Sequence, residues 1–441
     1  MQIKFYLTGL MISFVLAGCV TVTPTQEDSK TIEDTKIDPY LWLEEVEGER
    51  ALSWVREQNA ITLAELHADP RFDQFESEAL AIYEAKDRLV YGKIRGDFIY
   101  NFWRDEVHIR GIWRRSPLQQ YLDGKPVWDV IIDIDALAEA ENENWVYKGV
   151  SGLPPTYNRF LIELSRGGKD AVVVREFDIS TRSFIEDGFY VAEEKSTVSW
   201  INEDQVFVAT DFGPGSMTES GYAASVKVWI RGEDLAESPE LARVDTKDVG
   251  TWGWTVFTAE RNYSLISKSK DFWTHEILLL DENMGTTKIE LPIDADLKGV
   301  WKDQAFAILR SDWMGSSKGS LIALDLASNQ KTNVFVPNTK SSILSVDFSS
   351  SYLLLTIQED VVDKVLRGVL KDNLWVLEDL NLPQGGTIYI NGANPLNDNF
   401  FYTYNDLITP TTLGYFEDAM ADLKVIRQSP ARYDSENLEV N

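Results

Sequence analysis

Residues 315–319 read Gly-Ser-Ser-Lys-Gly and fit the pattern G-x-S-x-G, in which the central serine, here Ser317, can act as a nucleophile. Such a serine sits on a sharp turn between a strand and a helix, with a base and an acid beside it. Residues 305–313, before the motif, are strand-like, but residues 320–328 after it are strand-like too. The pattern therefore favours a loop between two strands over a catalytic serine.

The chain has few residues that could bind a transition metal. It contains one cysteine and three histidines, which are Cys19, His67, His108 and His275. The histidines are far apart and show neither an H-x-H nor an H-E-x-x-H spacing, so the sequence predicts no zinc site. Residues 213–216 contain two glycines but lack the lysine and the spacing of a phosphate-binding loop. We expect no metal and no cofactor.

Two charged pairs could act on a substrate. Asp133 and Asp135 stand two apart on an expected strand and share a face, and paired carboxylates carry out glycoside hydrolysis. They also stand where a strand ends, and a structural turn is the interpretation we favour. Arg114 and Arg115 either face a substrate or lie in a solvated, salt-bridged hairpin, and the second alternative is favoured.

The charge balance excludes one large class of partner. The chain has 71 acidic and 42 basic residues, a net charge of −29. Such a chain repels a phosphate backbone, so we expect no nucleic-acid partner. Solubility explains the acidic surface, and recruitment of basic peptides is the alternative. With 441 residues, of which 44% are hydrophobic and 14 are tryptophan, the chain can bury a large core.

The first 19 residues resemble the signal segment of a bacterial lipoprotein. Lys4 supplies a positive charge, residues 5–15 form an apolar run too short to span a membrane, and Leu-Ala-Gly precedes Cys19 as in a lipobox. In that pattern Cys19 becomes the lipidated N-terminus; an ordinary signal peptide with a chance cysteine is the alternative. Residues 20–37 are polar and predict a flexible tether. We expect a lipid-anchored protein of the bacterial cell envelope, on the periplasmic side of the outer membrane.

Residues 38–87 form the most helical part of the sequence. Several apolar side chains fall roughly along one helix face: Leu52, Val55, Ile61, Leu63 and Leu66. Asp69-Pro70 predicts the end of this helix, and a second short helix follows. The pattern changes near residue 88. From there to residue 425, short runs rich in β-branched and aromatic residues alternate with Gly, Asn and Asp clusters, which predicts strands and hairpins.

One element recurs within residues 88–425, an apolar strand that ends in an acidic turn. The seven copies, separated by about 40–55 residues, begin at Trp128, Val172, Val226, Ile277, Leu321, Leu374 and Leu413. This spacing is typical of four-stranded propeller blades. The sequence therefore predicts a mainly β fold, a seven-bladed β-propeller preceded by a short helical segment. A large β-sandwich or barrel with accidental periodicity is the alternative.

Blocks of sequence between residues 38 and 434 resemble the prolyl oligopeptidase family of serine peptidases, in the family's order. They are DPYLWLEE from Asp38, YNFWRD from Tyr100 with RGIWRRS from Arg110, VVVREFDI from Val172, TDFGPGSMTESGY from Thr210 and SPARYD from Ser429. The resemblance implies a helical segment, then a seven-bladed propeller that covers an α/β-hydrolase domain with a Ser-His-Asp triad. The family cleaves short peptides, and its propeller excludes folded proteins.

The sequence departs from the family's pattern after the propeller. Residues 426–441 resemble the start of the linker toward the hydrolase domain, and no strand, G-x-S-x-G and helix follow within the 441 residues. None of the histidines lies in a context that matches the triad, so no catalytic residue is carried over. We expect this chain alone to be non-catalytic and to act as a substrate-gating domain. Peptide hydrolysis would then come from a hydrolase half on another chain, or be lost by truncation.

A second hypothesis needs no hydrolase. The propeller would be a stand-alone, membrane-anchored module that binds peptides or proteins on its acidic surface or in its channel. Saturable peptide binding without turnover favours this hypothesis, whereas turnover of a glycoside would favour the pair Asp133 and Asp135. In the family, residues 38–85 pack on the hydrolase domain, so we expect these helices to be the least well-anchored part of the chain.

Overall fold

A computed structural model describes residues 38–45, 47–372, 374–393, 395–417, 422–435 and 437–438. The signal segment and tether predicted for residues 1–37 lie outside this range. The described residues divide into two compact units, one up to residue 83 and the other from residue 84 onward. Among the described residues, no helix combines the length and the apolar composition that crossing a bilayer requires.

The first unit is helical, as the sequence predicts. A 3-10 turn at Leu41–Glu44 precedes helix α1 (Glu49–His67) and helix α2 (Phe72–Tyr83). α1 ends just before Asp69-Pro70, because proline cannot continue a helix. Several side chains on the predicted apolar face are largely exposed: Val55, Ile61, Leu63 and Leu66. The weak anchoring of these helices stays a prediction that hydrogen exchange can test.

The second unit consists of seven antiparallel sheets, each formed by strands that follow one another along the chain, which confirms the predicted seven-bladed propeller. The first blade comprises β1 (Lys93–Arg95), β2 (Phe98–Trp103), β3 (Ile112–Pro117) and β4 (Asp129–Asp133), with helices α3 (Leu118–Leu122) after β3 and α4 (Ile134–Glu141) after β4. The second comprises β5 (Trp145–Gly152), β6 (Arg159–Arg166), β7 (Val172–Asp178), β8 (Ser183–Phe184) and β9 (Tyr190–Glu194), and both β8 and β9 pair with β7. The third comprises β10 (Thr197–Asn202), β11 (Gln205–Ala209), β12 (Ser225–Ile230) and β13 (Glu240–Arg243), with a 3-10 turn at Leu235–Glu237.

The remaining blades are four-stranded. The fourth comprises β14 (Gly250–Val256), β15 (Tyr263–Ser269), β16 (His275–Leu280) and β17 (Thr286–Lys288). The fifth comprises β18 (Asp296–Trp301), β19 (Gln304–Ile308), β20 (Leu321–Asp325) and β21 (Lys331–Phe335). The sixth comprises β22 (Ser341–Phe348), β23 (Leu353–Glu359), β24 (Val362–Lys371) and β25 (Leu374–Asp379), and the seventh β26 (Thr387–Asn391), β27 (Phe400–Asn405), β28 (Thr412–Glu417) and β29 (Asp422–Gln428).

The recurring strand of the sequence occurs once in every blade, but not at one structural position. It is the third strand in five blades and the fourth strand in two, namely β4 in the first blade and β25 in the sixth. In the sixth blade the third strand, β24, is interrupted by charged residues and so lacks the apolar run. The predicted number of blades is therefore correct, although the recurring element corresponds to the third strand in some blades and to the fourth in others.

Aromatic side chains fill the seams between blades. The first strands of neighbouring blades, such as β10 and β14 or β14 and β18, lie next to each other, as strands around a central channel do. Between the first and second blades, Trp113 packs against Phe160 with ring centroids 4.9 Å apart and against Phe177 at 6.4 Å. These rings are almost fully buried. Burial of such rings stabilises the ring of blades.

The seam between the first and seventh blades is closed by side chains alone. Each of these two blades is built from consecutive strands, and no strand crosses from one to the other in the described part of the chain. Ile99 and Tyr121 of the first blade share a buried cluster with Phe401 and Leu413 of the seventh. The segments that enter and leave the propeller meet at the same place, where Arg432 and Asp87 form an ion pair of 2.7 Å.

A buried ion pair joins the second and third blades. Glu176 of β7 is 1% exposed. Its two carboxylate oxygens accept hydrogen bonds from both Nη atoms of Arg231, at 2.8 and 3.0 Å, and one of them also accepts the backbone N–H of Phe189. The guanidinium of Arg231 lies 4.5 Å from the ring centre of Phe189. The glutamate of the VVVREFDI block thus has a structural role at a seam.

Candidate functional site

The serine of the G-x-S-x-G pattern lies in a loop. Ser317 is exposed in the connection from β19 to β20, and its hydroxyl lies 3.3 Å from the hydroxyl of Ser320. Gly315 and Gly319 have φ values of +76° and +87°, which glycine adopts without a steric penalty. The two glycines of the pattern therefore serve the turns of a strand-to-strand loop. A nucleophile elbow would have a helix after the serine.

The three histidines lie in three different parts of the sequence. His67 is the last residue of α1. The ring Nδ1 of His108 lies 3.0 Å from Asp105, whose carboxylate also accepts backbone N–H groups that hold its pKa well below the usual range. The ring Nδ1 of His275 lies 2.8 Å from the hydroxyl of Ser269. Across the described ranges, these contacts bring no serine, histidine and acid together in the order that a triad requires.

The two aspartates of the possible glycosidase pair hold backbone. Asp133 caps α4, since its side chain accepts the backbone N–H of Ala136 at 3.1 Å. Asp135 accepts the backbone N–H groups of Arg110 and Gly111. Both carboxylates thus accept backbone hydrogen bonds at the end of the first blade. The predicted structural turn at this position is the start of helix α4.

The two arginines of the basic pair differ. Arg115 faces Asp129 at 3.5 Å, which matches the salt-bridged alternative. Arg114 is 9% exposed, and its guanidinium lies between the rings of Trp103 and Trp128, at 4.5 and 4.3 Å. Burial lowers the pKa of Arg114 to about 10. It therefore remains a cation at neutral pH, stabilised by two aromatic faces.

Cys19, the predicted lipidation site, lies outside the described residues. So do the remaining residues of the signal segment and the tether. Lipid anchoring and export stay predictions from the sequence.

A cavity of about 840 Å³ is the site that the structure offers for a ligand. It is bounded by the entry segment 88–92, by β1 and β2 of the first blade, by the middle of β5 in the second and by side chains of β27 and β28 in the seventh. The entry segment is fixed because Asn101 donates a hydrogen bond to the carbonyl of Tyr91 at 2.7 Å. This volume lies within the range of small-molecule and peptide pockets.

Cations line this cavity without a compensating acid. The five cationic residues that line it are Arg88, Lys93, Arg95, Arg104 and Lys148, and no aspartate or glutamate is among the lining residues. None of the five is within ion-pair distance of a carboxylate in the part of the chain that the structure describes. In a chain of net charge −29, this is a local concentration of positive charge. We call these five residues the basic cluster.

Aromatic rings form the rest of the wall. They are Tyr91, Tyr100, Phe102, Trp103, Trp113, Tyr121, Tyr147 and Phe401. Phe102 stacks on Tyr147 of the second blade with ring centroids 4.2 Å apart. Burial raises the pKa of Tyr147 beyond its usual range, so its hydroxyl stays protonated at neutral pH. The cavity thus combines fixed positive charge with apolar walls.

Two further cavities differ in their charges. In one of about 430 Å³, Arg166 pairs with Glu143 and Arg175 with Glu141, at 2.6 and 2.8 Å. The other, of about 350 Å³, shares Lys148 with the first cavity and contains Glu163. Glu163 lies opposite Gly149, where the absence of a side chain leaves room for the carboxylate, and burial raises the pKa of Glu163. Of these three cavities, the first is therefore the one whose lining contains cationic residues but no acidic residue.

Sequence reasoning did not find the basic cluster. Its members come from the entry segment, from β1, from the β2–β3 connection and from β5, so no local pattern unites them. One sequence feature at this cavity is the block YNFWRD, whose Trp103 lines it.

Comparisons with known proteins give the chain its relatives. The sequence profile described as prolyl oligopeptidase, N-terminal beta-propeller domain, matches residues 22–429. The chain is 32% identical to an uncharacterised peptidase of Sinorhizobium fredii, over 98% of this chain and 64% of that protein. It is 20% identical to a prolyl endopeptidase of Elizabethkingia meningoseptica, over 91% of this chain and 56% of that protein. The chain thus spans less than two thirds of the length of these curated relatives.

Solved structures agree with the sequence relatives. A post-proline cleaving enzyme from Rickettsia typhi is 29% identical, with a TM-score of 0.83, over 90% of this chain and 61% of that chain. Oligopeptidase B from Leishmania major, which is 13% identical, shares the fold with a TM-score of 0.69, over 91% of this chain and 57% of that chain.

Proposed function

The chain belongs to the prolyl oligopeptidase family, and on that premise we propose that its propeller is the part of a peptidase that admits oligopeptides and excludes folded proteins. The proposal is supported chiefly by the similarity to the Rickettsia typhi enzyme over 90% of this chain. The cavity on the first blade, with its aromatic walls, supplies a place for a peptide segment. A folded protein presents few extended segments of that size.

We propose further that this polypeptide does not itself hydrolyse peptides. The support is the position of Ser317 in an exposed loop between two strands, where its hydroxyl lies beside the hydroxyl of Ser320. The purified 441-residue chain should bind an oligopeptide reversibly without cleaving it, and a serine-directed fluorophosphonate probe should not label it. Mass spectrometry after incubation with the probe and a proline-containing hexapeptide measures both.

The control for the labelling experiment is the variant Ser317→Ala. The wild type and this variant should give the same background signal with the probe. Stoichiometric labelling at any one serine, or steady release of a peptide fragment, would contradict the proposal. Cleavage without labelling would point to a chemistry other than an acyl-enzyme on serine.

Export and lipid anchoring at Cys19 are a separate proposal, supported by the lipobox-like residues before it. Expressed in a Gram-negative host, the wild type should appear in the membrane fraction with the mass of a cleaved, acylated N-terminus, since several acyl chains give stable anchoring. The variant Cys19→Ser should keep its signal segment or appear unlipidated. Equal masses and equal distribution of the two proteins would contradict lipidation.

A stand-alone binding module is the second candidate function. The basic cluster favours it, because unneutralised charge in a cavity indicates a ligand whether or not hydrolysis follows. Peptide binding by the chain alone supports both candidates. Co-purification of a hydrolase chain from the native cells supports the gating function and argues against the module.

A further inference from the structure

Arg95 is the most informative member of the basic cluster. It is 9% exposed and carries a charge that arginine keeps in proteins, although burial lowers its pKa. Within the described residues, its guanidinium donates one hydrogen bond, to the carbonyl of Val150 at 3.3 Å, and it lies 5.4 Å from the ring centres of Tyr100 and Phe160. A guanidinium has five N–H donors, so most of its donor capacity is unused.

A buried cation without a counter-ion is costly to the fold. Elsewhere in the propeller the buried charge of Glu176 is fully paired by Arg231. Arg114, which is equally buried, has no carboxylate partner either, but its Nε donates a hydrogen bond to Asn101 at 2.9 Å and two rings lie 4.5 and 4.3 Å from its guanidinium. The rings beside Arg95 are more distant and its one hydrogen bond is longer, so the protein itself stabilises this buried charge less well. Arg95 lines the cavity, so a negatively charged ligand in that cavity would supply the missing partner.

The neighbours of Arg95 point to the same kind of ligand. Along β1, Lys93 and Arg95 share one face, whereas Ile94 packs into the seam with the seventh blade. Arg88 donates a hydrogen bond to the carbonyl of Arg104 at 2.9 Å, while its Nε is buried and has no hydrogen-bond partner. Lys148 contacts one backbone carbonyl, that of Gly168. Each of these cations retains donors for a ligand.

The walls restrict which anion fits. A carboxylate or a phosphate would satisfy the charges, but either alone fills a small part of about 840 Å³. The aromatic rings around the rest of the cavity favour a ligand with an apolar body. A nucleic acid is disfavoured because the chain as a whole is strongly acidic. An oligopeptide that ends in a carboxylate meets both requirements.

We propose that the basic cluster is a carboxylate-binding subsite that holds the C-terminal carboxylate of an oligopeptide, with Arg95 as its central ligand. This inference rests on the proposed function, since it takes the ligand to be a peptide. It assigns a direction to the bound peptide, whose C-terminal end lies in the first blade. The same site would take an aspartate or glutamate side chain less well, because an internal residue brings more backbone into the cavity.

The test compares three peptides on the full chain by isothermal titration calorimetry. They are Ac-Ala-Ala-Pro-Leu-Ala with a free carboxylate, the same peptide as its C-terminal amide, and the amide of Ac-Ala-Glu-Pro-Leu-Ala. The free acid should bind about 10–100-fold more tightly than its amide, the range for a charged hydrogen-bonding partner. Tighter binding of the glutamate amide than of the free acid would overturn the assignment to the C-terminus. Equal binding of acid and amide would overturn the subsite.

Variants assign the effect to the cluster. Arg95→Met should weaken binding of the free acid about 10–100-fold and leave binding of the amide unchanged. Its melting temperature should stay equal or rise, because it removes an unpaired buried charge. A lower melting temperature, or failure to fold, would make Arg95 a structural residue and overturn its assigned role. Lys148→Gln, an exposed position, should weaken binding of the acid several-fold, and unchanged binding would count against the cluster.

A matched control and a competitor complete the test. Arg243→Gln removes a positive charge on the outer strand of the third blade, and binding of the acid should not change. Inorganic phosphate should compete only at millimolar concentration; competition at micromolar concentration would make the site a phosphate site and overturn the proposal. If none of the three peptides binds, the proposed peptide-handling function fails. If all bind equally, that function stands and only the carboxylate subsite fails.

Discussion

The variant Arg231→Met is expected to lower the free energy of unfolding of the propeller by about 3–5 kcal/mol at pH 7, the cost of removing one partner of a buried ion pair. Methionine keeps the aliphatic stem that packs near Phe189, so the loss reports mainly on the charge. The carboxylate of Glu176 would keep the backbone N–H of Phe189 but lose both guanidinium hydrogen bonds. Urea denaturation followed by tryptophan fluorescence measures the change.

Two further variants give this experiment its controls. Arg243→Met removes one partner of an ion pair that is exposed to solvent, with Glu240, and should cost about 1 kcal/mol or less. The double variant Glu176→Met with Arg231→Met should regain much of the loss, since both charges are gone. A loss below about 1 kcal/mol in Arg231→Met would contradict the structural role given to this pair.

A second large effect is expected at the seam of the first and seventh blades. Phe401→Ala should destabilise the propeller by about 3–5 kcal/mol, the range for truncating a buried phenylalanine. Because the first and seventh blades are not consecutive along the chain, side chains rather than a direct connection hold this seam, and the loss should be concentrated there. Hydrogen exchange should show faster exchange in β1–β3 and β26–β28 than in the blades opposite.

The matched control is Phe416→Ala. Phe416 is as well buried and stacks on Phe400 at 4.8 Å, but its cluster faces the sixth blade, which the chain connects directly to the seventh. This variant should lose comparable stability without a selective increase of exchange in the first blade. Uniform loss of protection over all seven blades in Phe401→Ala would show that the ring unfolds as one unit rather than opening at the seam.

Much of the fold could be predicted because it rests on a repeated local pattern. Each copy of the apolar strand with an acidic end marks one blade, whatever its position within that blade. Helix α4 was missed because Asp133 ends an apolar strand, and its role as a helix cap depends on the residues that follow. Turn and cap use the same residue types, so the strand pattern alone does not distinguish them.

The candidate site could not be predicted because its chemistry depends on distant pairs. In the sequence, Arg88 follows Asp87 and Arg104 precedes Asp105. Each arginine thus stands next to an aspartate, which suggests solvated side chains whose charges neutralise each other. In the fold, Asp87 pairs with Arg432, and Asp105 accepts hydrogen bonds from its own loop and from Trp103. Both aspartates therefore bind other partners, and the two arginines line the cavity without a carboxylate at ion-pair distance in the described part of the chain. Only the tertiary structure shows that each arginine is not paired with the aspartate next to it in the sequence.

The ion pair between Asp87 and Arg432 links residues 345 apart in sequence. The fold therefore brings the two ends of the propeller close together. For a polypeptide that continued beyond both ends, the whole propeller would bridge a distance no longer than that of a short loop. Closing a flexible loop of this length would cost conformational entropy. Here the folding of the propeller offsets that cost, so the flanking chain does not bear it.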